Sequence, residues 1–199
     1  MQTEIILSGF GGQGILFAGQ VLAYAGLDQG KQVTWMPSYG PEMRGGAAHV
    51  TVILSDEEIG SPVVRHPAGV IALNRPAIEK YEPLVKKGGV LVYNCSLIAT
   101  SPQRTDIRYV AVAASDIALE LGEPKLVSLA ALGAMAVATN ILPLSALIQA
   151  LYRHLPAAKR SLLEADEQAL QCGARSLAAT PNGCSTCVSP RVLTDRVVA

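Results

Sequence analysis

A chain of 199 residues, half of them hydrophobic and 16% charged, is long enough to bury the core of one domain without disulfides or metals. Its 16 basic residues offset 16 acidic ones, so the positive field that a phosphate backbone requires is missing and nucleic acid is excluded as a partner. So large an apolar share with so little charge predicts surface buried against other chains, and self-association of the chain when isolated.

The N-terminal stretch MQTEIILSGFGG carries neither a basic leader nor a small-residue cleavage site, which predicts a cytoplasmic protein. Glu4–Leu7 is a short apolar run, the glycines GFGGQG follow, and Ile15–Ala25 is helix-forming, so a strand feeds a helix through glycines. Gln32–Met36 reads as the second strand. The segment PSYGPEMRGG, residues 37–46, holds two prolines and three glycines and reads as a loop. Across Ala47–Leu54, Ala48, Val50, Val52 and Leu54 share one face and His49, Thr51 and Ile53 the other, which predicts a strand. Asp56, Glu57 and Glu58 form a charged turn, and Gly69–Leu73 is a further strand.

Arg75–Lys87 has Ile78, Tyr81, Leu84 and Val85 at helical spacing, stopped by Gly88 and Gly89 ahead of the strand Val90–Tyr93. Ile107–Val112 is the next strand. Ser115–Leu121, Lys125–Thr139, Leu144–His154 and Ala157–Leu177 then read as consecutive helices. The most apolar stretch, Leu126 to Leu142, is broken by Ser128, Thr139 and Asn140 and is shorter than the roughly 20 residues that span a bilayer. It predicts a buried helix and no membrane partner. The pattern as a whole predicts an α/β fold, a three-layer α/β/α sandwich. Its sheet is mostly parallel, with antiparallel pairing at Ala47–Leu54 making it mixed, and its C-terminal third is helical. Residues 1–177 form the domain, and the Ser/Thr/Pro/Gly-rich residues 178–199 form a mobile tail.

Gly9, Phe10, Gly11, Gly12, Gln13 and Gly14 fit G-x-G-x-x-G between a strand and a helix, where exposed N–H groups hold phosphate. A dinucleotide fold also needs an acidic residue about 20 positions on, at the end of the second strand. Here Asp28 precedes that strand and Met36-Pro37 ends it. Three readings stand: a dinucleotide site for NAD or FAD, phosphate contact with another ligand, and a tight structural turn. Gly11 and Gly12, lacking Cβ, let a backbone or ligand come close, and Gln13 adds a side-chain amide. In the 37–46 loop, Tyr39, Glu42 and Arg44 are polar heads on a stiff scaffold. Arg44 suits a carboxylate or phosphate, and Glu42 suits either a neighbouring subunit or Arg44 itself, in a pair that only fixes the loop.

Cys184 and Cys187 have the spacing of half a zinc site, without a second pair, and Cys95 and Cys172 stand alone. Free thiols are predicted, with no metal site, disulfide or iron–sulfur motif. His49, His66 and His154 build no recognisable triad, so no catalytic residue is assigned, and His49 reads as a structural strand histidine.

The stretch SGFGGQGILFAGQVLAYAG followed by PSYGPEMRGGAAHVTVILSDEEIGSP is similar to gamma subunits of 2-oxoacid:ferredoxin oxidoreductases, and the similarity continues through LAALGAMAVATNILPLSALIQAL. The loop sequences resemble the 2-oxoglutarate type most, with the branched-chain 2-oxoacid type close to it. The resemblance implies that residues 1–177 are the gamma-type catalytic domain of a complex that oxidatively decarboxylates a 2-oxoacid to an acyl-CoA. It further implies alpha, beta and ferredoxin-like delta subunits as partners and ferredoxin as acceptor. Thiamine diphosphate, Mg2+ and iron–sulfur clusters would belong to those partner subunits, with none bound by this chain alone and coenzyme A as co-substrate. Coenzyme A contact is then the reading for Gly9, Gly11, Gly12, Gln13 and Gly14, with Tyr39, Glu42 and Arg44. Two rival readings are a stand-alone nucleotide- or flavin-dependent oxidoreductase and a purely structural assembly module.

Overall fold

The computed structural model describes residues 1–39, 47–99, 103–155 and 161–179. Six strands, β1 Gln2–Phe10, β2 Gln32–Tyr39, β3 Ala47–Ser55, β4 Gly69–Ala72, β5 Val90–Asn94 and β6 Arg108–Val112, form one sheet in the order β2-β3-β1-β4-β5-β6. β1 pairs in parallel with β4, β4 with β5 and β5 with β6, while β3 is antiparallel to both β1 and β2. β3 alone therefore runs against the other five strands, which makes the sheet mixed as its sequence predicts.

The helices are α1 Ile15–Asp28, α2 Arg75–Tyr81, α3 Ala114–Glu120, α4 Val127–Thr139, α5 Leu144–His154 and α6 Leu163–Ala179. Alternation along β1 sends Ile5 and Leu7 into one cluster with α1, α3, α4, α5 and α6, and Ile6 into a second cluster with Ala77, Ile78 and Tyr81 of α2. The sandwich thus has a thick helical layer on one face of the sheet and α2 on the other.

Several elements differ from their predicted bounds, β2, α2 and α6 among them. β2 runs on through Pro37 to Tyr39, where a loop is predicted. β2 is an edge strand, and an edge tolerates a residue without an N–H. The helix predicted over Arg75–Lys87 ends at Tyr81 and gives way to a 3-10 turn over Glu82–Leu84, because Pro83 cannot continue an α-helix. The Arg104 Nη1 group closes that turn by donating to the carbonyls of Glu82 at 2.9 Å and Val85 at 2.6 Å. The last helix starts at Leu163 rather than Ala157, and residues 157–160 lie outside the described residues. Cys95 is disulfide-bonded, which corrects the prediction of free thiols, since that prediction rested on compartment and not on geometry. Cys172 keeps its thiol outside any disulfide, and Cys184 and Cys187 lie outside the described residues.

α4 is the spine of the thick layer, with every residue from Val127 to Ala136 buried. It meets α6 where two glycines interlock: a Cβ on Gly133 would sit 2.0 Å from the Leu170 carbonyl oxygen, and one on Gly173 would sit 1.7 Å from that of Ala130. Backbone against backbone at this range excludes any side chain. Among the described residues no helix is long and apolar enough to cross a membrane.

At the far ends of α1 and α5 the carboxylate of Asp28 accepts from His154 Nε2 at 3.1 Å and pairs with Arg153 Nη1 at 3.1 Å. Tyr24 stacks on the His154 ring, centroids 4.3 Å apart. Burial pushes the Asp28 carboxyl up, but the hydrogen bonds and charges of His154 and Arg153 outweigh it and hold the group below the usual carboxylate range.

Two outcomes follow for stability. Gly133→Ala and Gly173→Ala should each force α4 from α6 and cost about 1–3 kcal/mol or more, read as a fall in Tm; a variant as stable as the parent would show the contact to be slack. For Asp28→Asn, a carboxyl whose folded pKa is depressed stabilises the fold above its unfolded value of about 3.9 and loses that contribution as pH falls through the lower folded value. The deficit of the variant in urea unfolding should be full at neutral pH and close below about pH 4. A deficit constant with pH would mean that the Asp28 charge contributes nothing.

Candidate functional site

In a wound α/β sheet, ligands gather beyond the carboxyl ends of parallel strands, where neighbouring strands send their helices to opposite faces. β1 and β4 meet that description: α1 leaves β1 for the thick layer and α2 leaves β4 for the other face. The glycine segment stands at this point.

The segment turns tightly. The Gln13 N–H donates to the Phe10 carbonyl at 3.3 Å, and the Phe10 N–H donates to Gln13 Oε1 at 2.7 Å. The Gln13 amide oxygen therefore braces the loop from within. A Cβ on Gly9 would lie 2.4 Å from that oxygen, and one on Gly14 would lie 2.4 Å from the Lys125 carbonyl and 2.7 Å from Ser128 Oγ. Gly9 makes room for the brace, and Gly14, at φ 79, lets the head of α1 touch the start of α4. Gly12 differs, because nothing lies within 4 Å of its Cβ position although φ is 99. Gly11 is half-buried and Gly12 exposed, so Gly12 forms the open tip.

Helix ends sort the donors further. α2 is capped by Asn74, whose Oδ1 accepts from the Ala77 N–H at 2.9 Å. The first amides of α3 donate to Asn94 Oδ1 at 3.2 Å and Ser96 Oγ at 3.3 Å, from Ser115 and Asp116 respectively. α1 has neither a side-chain cap nor an acidic residue in its first turn, which leaves the positive end of its dipole toward the loop.

The strand register brings the second motif here. Phe10 pairs with Ala47 and Gly9 with Ala48, and Ala48 pairs on its other side with Tyr39. Tyr39 and Ala47, the backbone positions that flank residues 40–46, therefore meet the rungs that carry Gly9 and Phe10. Of the predicted site residues, Gly9, Gly11, Gly12, Gln13, Gly14 and the backbone of Tyr39 share one end of the sheet, while Glu42 and Arg44 lie outside the described residues.

The sequence reading passed over Phe10, which is 41% exposed beside the loop tip, and the braces Asn74 and Asn94. Asn74 had a signal, an asparagine directly before Arg75-Pro76, the pattern of a helix start. His49 pairs across the strands with Ser8 and Ser38 and faces the Tyr81 ring at 5.8 Å. Burial, with the Lys80 charge second, holds its pKa below the usual histidine value. Among the described residues no three His, Cys, Asp or Glu side chains gather as metal ligands.

Comparison with known proteins places this arrangement. Residues 4–176 match the family model described as pyruvate ferredoxin/flavodoxin oxidoreductase. The ketoisovalerate oxidoreductase subunit VorA of Methanothermobacter marburgensis is 36% identical over 134 residues, covering 67% of this chain. The chain spans only 28% of that relative's length. The 2-oxoglutarate synthase subunit KorC of Methanocaldococcus jannaschii is 36% identical over 159 residues, covering 78% of this chain and 85% of its own. The crystal structure of the keto/oxoacid ferredoxin oxidoreductase gamma subunit from Geobacter sulfurreducens superposes with a TM-score of 0.77 at 32% identity, over 90% of this chain and 98% of that one. With the match running through nearly all the described fold, the chain belongs to the pyruvate ferredoxin/flavodoxin oxidoreductase family.

Proposed function

We propose that this chain is the gamma-type subunit of a thiamine-diphosphate-dependent 2-oxoacid:ferredoxin oxidoreductase, in which residues 1–177 form the gamma-type catalytic domain. The observation that carries the reading is the β1–β3–β2 register, which sets the end of β1 at the glycine loop beside the backbone of Tyr39 and Ala47. The reaction proposed for the complex is oxidative decarboxylation of 2-oxoglutarate or a branched-chain 2-oxoacid to the acyl-CoA. The KorC and VorA relatives support that pair of substrate classes through their names.

On this reading the alpha, beta and ferredoxin-like delta subunits hold the thiamine diphosphate, Mg2+ and iron–sulfur clusters and pass electrons to ferredoxin in the cytoplasm. The chain contributes binding and orientation. Gly11, the Gly12 tip and the uncapped head of α1 suit a coenzyme A phosphate through backbone N–H groups and the helix dipole. Tyr39, Glu42 and Arg44 would complete the rim. Phe10, apolar and exposed beside the tip, is a contact for the partner chain that covers the site.

Purified alone, the chain should oxidise no 2-oxoacid with any electron acceptor, and it should self-associate in light scattering. Co-expressed with the alpha, beta and delta subunits it should copurify and support coenzyme A-dependent activity. Turnover by the isolated chain, or failure to copurify, would defeat the assignment.

The loop is tested by a pair of variants. Gly11 is not among the residues with positive φ, so Gly11→Val adds bulk beside the tip without left-handed backbone strain. It should raise the KM for coenzyme A with little change in Tm. Gly9→Ala meets the Gln13 brace instead and should lower stability by a strain cost of about 1–3 kcal/mol. An unchanged coenzyme A KM for Gly11→Val in a fully assembled complex would reduce the loop to architecture and favour the assembly-module reading.

A further inference from the structure

A cavity of about 400 Å³ opens at the end of the sheet opposite the glycine loop. Between them runs the length of β1, from Gln2 to Phe10, roughly 26 Å at strand rise. The cavity lies among the starts of β1 and β5, the end of β3 and the α4–α5 turn, and its size is that of small-molecule sites. Its lining mixes polar and apolar groups, the apolar part including Leu54 and Val90, both buried, and Ile141.

Its rim is cationic. Lys31, Lys86 and Lys87 reach it from two different connections, and the carboxylate in the lining is Asp56. Asp56 is committed: it pairs with Lys31 Nζ at 2.7 Å and with the Met1 amino group at 3.0 Å. Asp106, whose carboxyl feels the Lys87 charge, is held by Arg104 at 2.7 Å. Among the described residues Lys86 and Lys87 enter no salt bridge. The carbonyl end of α4 would oppose an anion here, but Arg108 Nη1 donates to the Ala138 carbonyl at 3.4 Å and offsets it. The lining holds no arginine, so the planar two-point grip that favours carboxylates is missing, whereas lysines serve as point charges for a tetrahedral phosphate.

We propose that this cavity is a second binding site, for a small phosphate ester whose compact apolar body rests on Leu54, Val90 and Ile141 while Lys86 and Lys87 hold its phosphate. The site is independent of the glycine loop and of the function proposed for it.

The test is an amide NMR titration of the full chain at constant ionic strength with phenyl phosphate, inorganic phosphate and benzoate. Phenyl phosphate should cause saturable shifts at residues 86–90 and 139–141 and bind about threefold or more tighter than inorganic phosphate, through its apolar body. Benzoate should bind more weakly than phenyl phosphate. The exposed pair Lys86→Gln/Lys87→Gln should keep its Tm and lose about tenfold or more in phenyl phosphate affinity. Shifts that never saturate, shifts confined to residues 11–16, benzoate binding as tightly as phenyl phosphate, or a double variant that binds like the parent would each overturn the proposal.

Discussion

The antiparallel pairing of β3 between β1 and β2 is the constraint on which the glycine-loop end of the molecule depends. A parallel third strand would have carried its N-terminal connection to the other end of the sheet, far from the glycine loop. Because β3 runs backward, the segment joining it to β2 must turn at the same rim where β1 ends. A one-residue slip would move Val50, Val52 and Leu54 from the thick core to the other face. Burial of those side chains therefore fixes the rung at which Ala47 and Ala48 meet Phe10 and Gly9. The site's alignment is thus a by-product of core burial, and the loops themselves contribute little to it.

A second chain of dependence runs from the core to the loop. α6 can close on α4 only because Gly133 and Gly173 have no side chains, and α4, buried along ten consecutive residues from Val127 to Ala136, cannot shift without disturbing both sheet and helices. The turn that opens α4 touches Gly14 through the Lys125 carbonyl and Ser128 Oγ. The position of the head of α1, and so the direction of its first N–H groups, is consequently set by packing against the start of α4, far away in sequence. Backbone donors held in this way would meet an anion without an ordering cost.

How much of this is legible in the sequence depends on the range of the interaction. The βα unit at the N-terminus, the alternation over Ala47–Leu54 and the largely apolar run of α4 are local patterns, and each reports its element directly. Pro37 and Pro83 show the limit of local rules. Proline excludes a central strand and a helix interior, yet Pro37 lies in β2 because β2 is an edge, a fact known only from the order of strands. Pro83 ends α2 as the rule demands, although the apolar spacing of Leu84 and Val85 argues for a longer helix. The roles of the loop glycines are the least legible. Gly9, Gly12 and Gly14 look alike in the motif, but one clears an amide oxygen, one stands open and one meets another helix. Gln13 reads as an extra donor and proves to be an internal brace, since nothing in spacing shows that its oxygen folds back to Phe10.

The two proposed sites also differ in the kind of anion recognition they would offer, and the difference is physical. At the glycine rim the donors are backbone amides on a rigid turn at the head of α1, whose geometry is fixed before any ligand arrives. At the opposite end the donors are lysine ammonium groups on flexible stems above a partly apolar lining, which must give up rotamer freedom to hold an anion. Rigid amides favour one shape and orientation, as a reacting co-substrate requires. Flexible lysines tolerate several shapes and lose affinity quickly as salt screens them. Any ligand held at the lysine end would therefore respond to ionic strength far more than one held at the glycine rim, and that contrast follows from the donors alone, whichever molecules occupy the two ends.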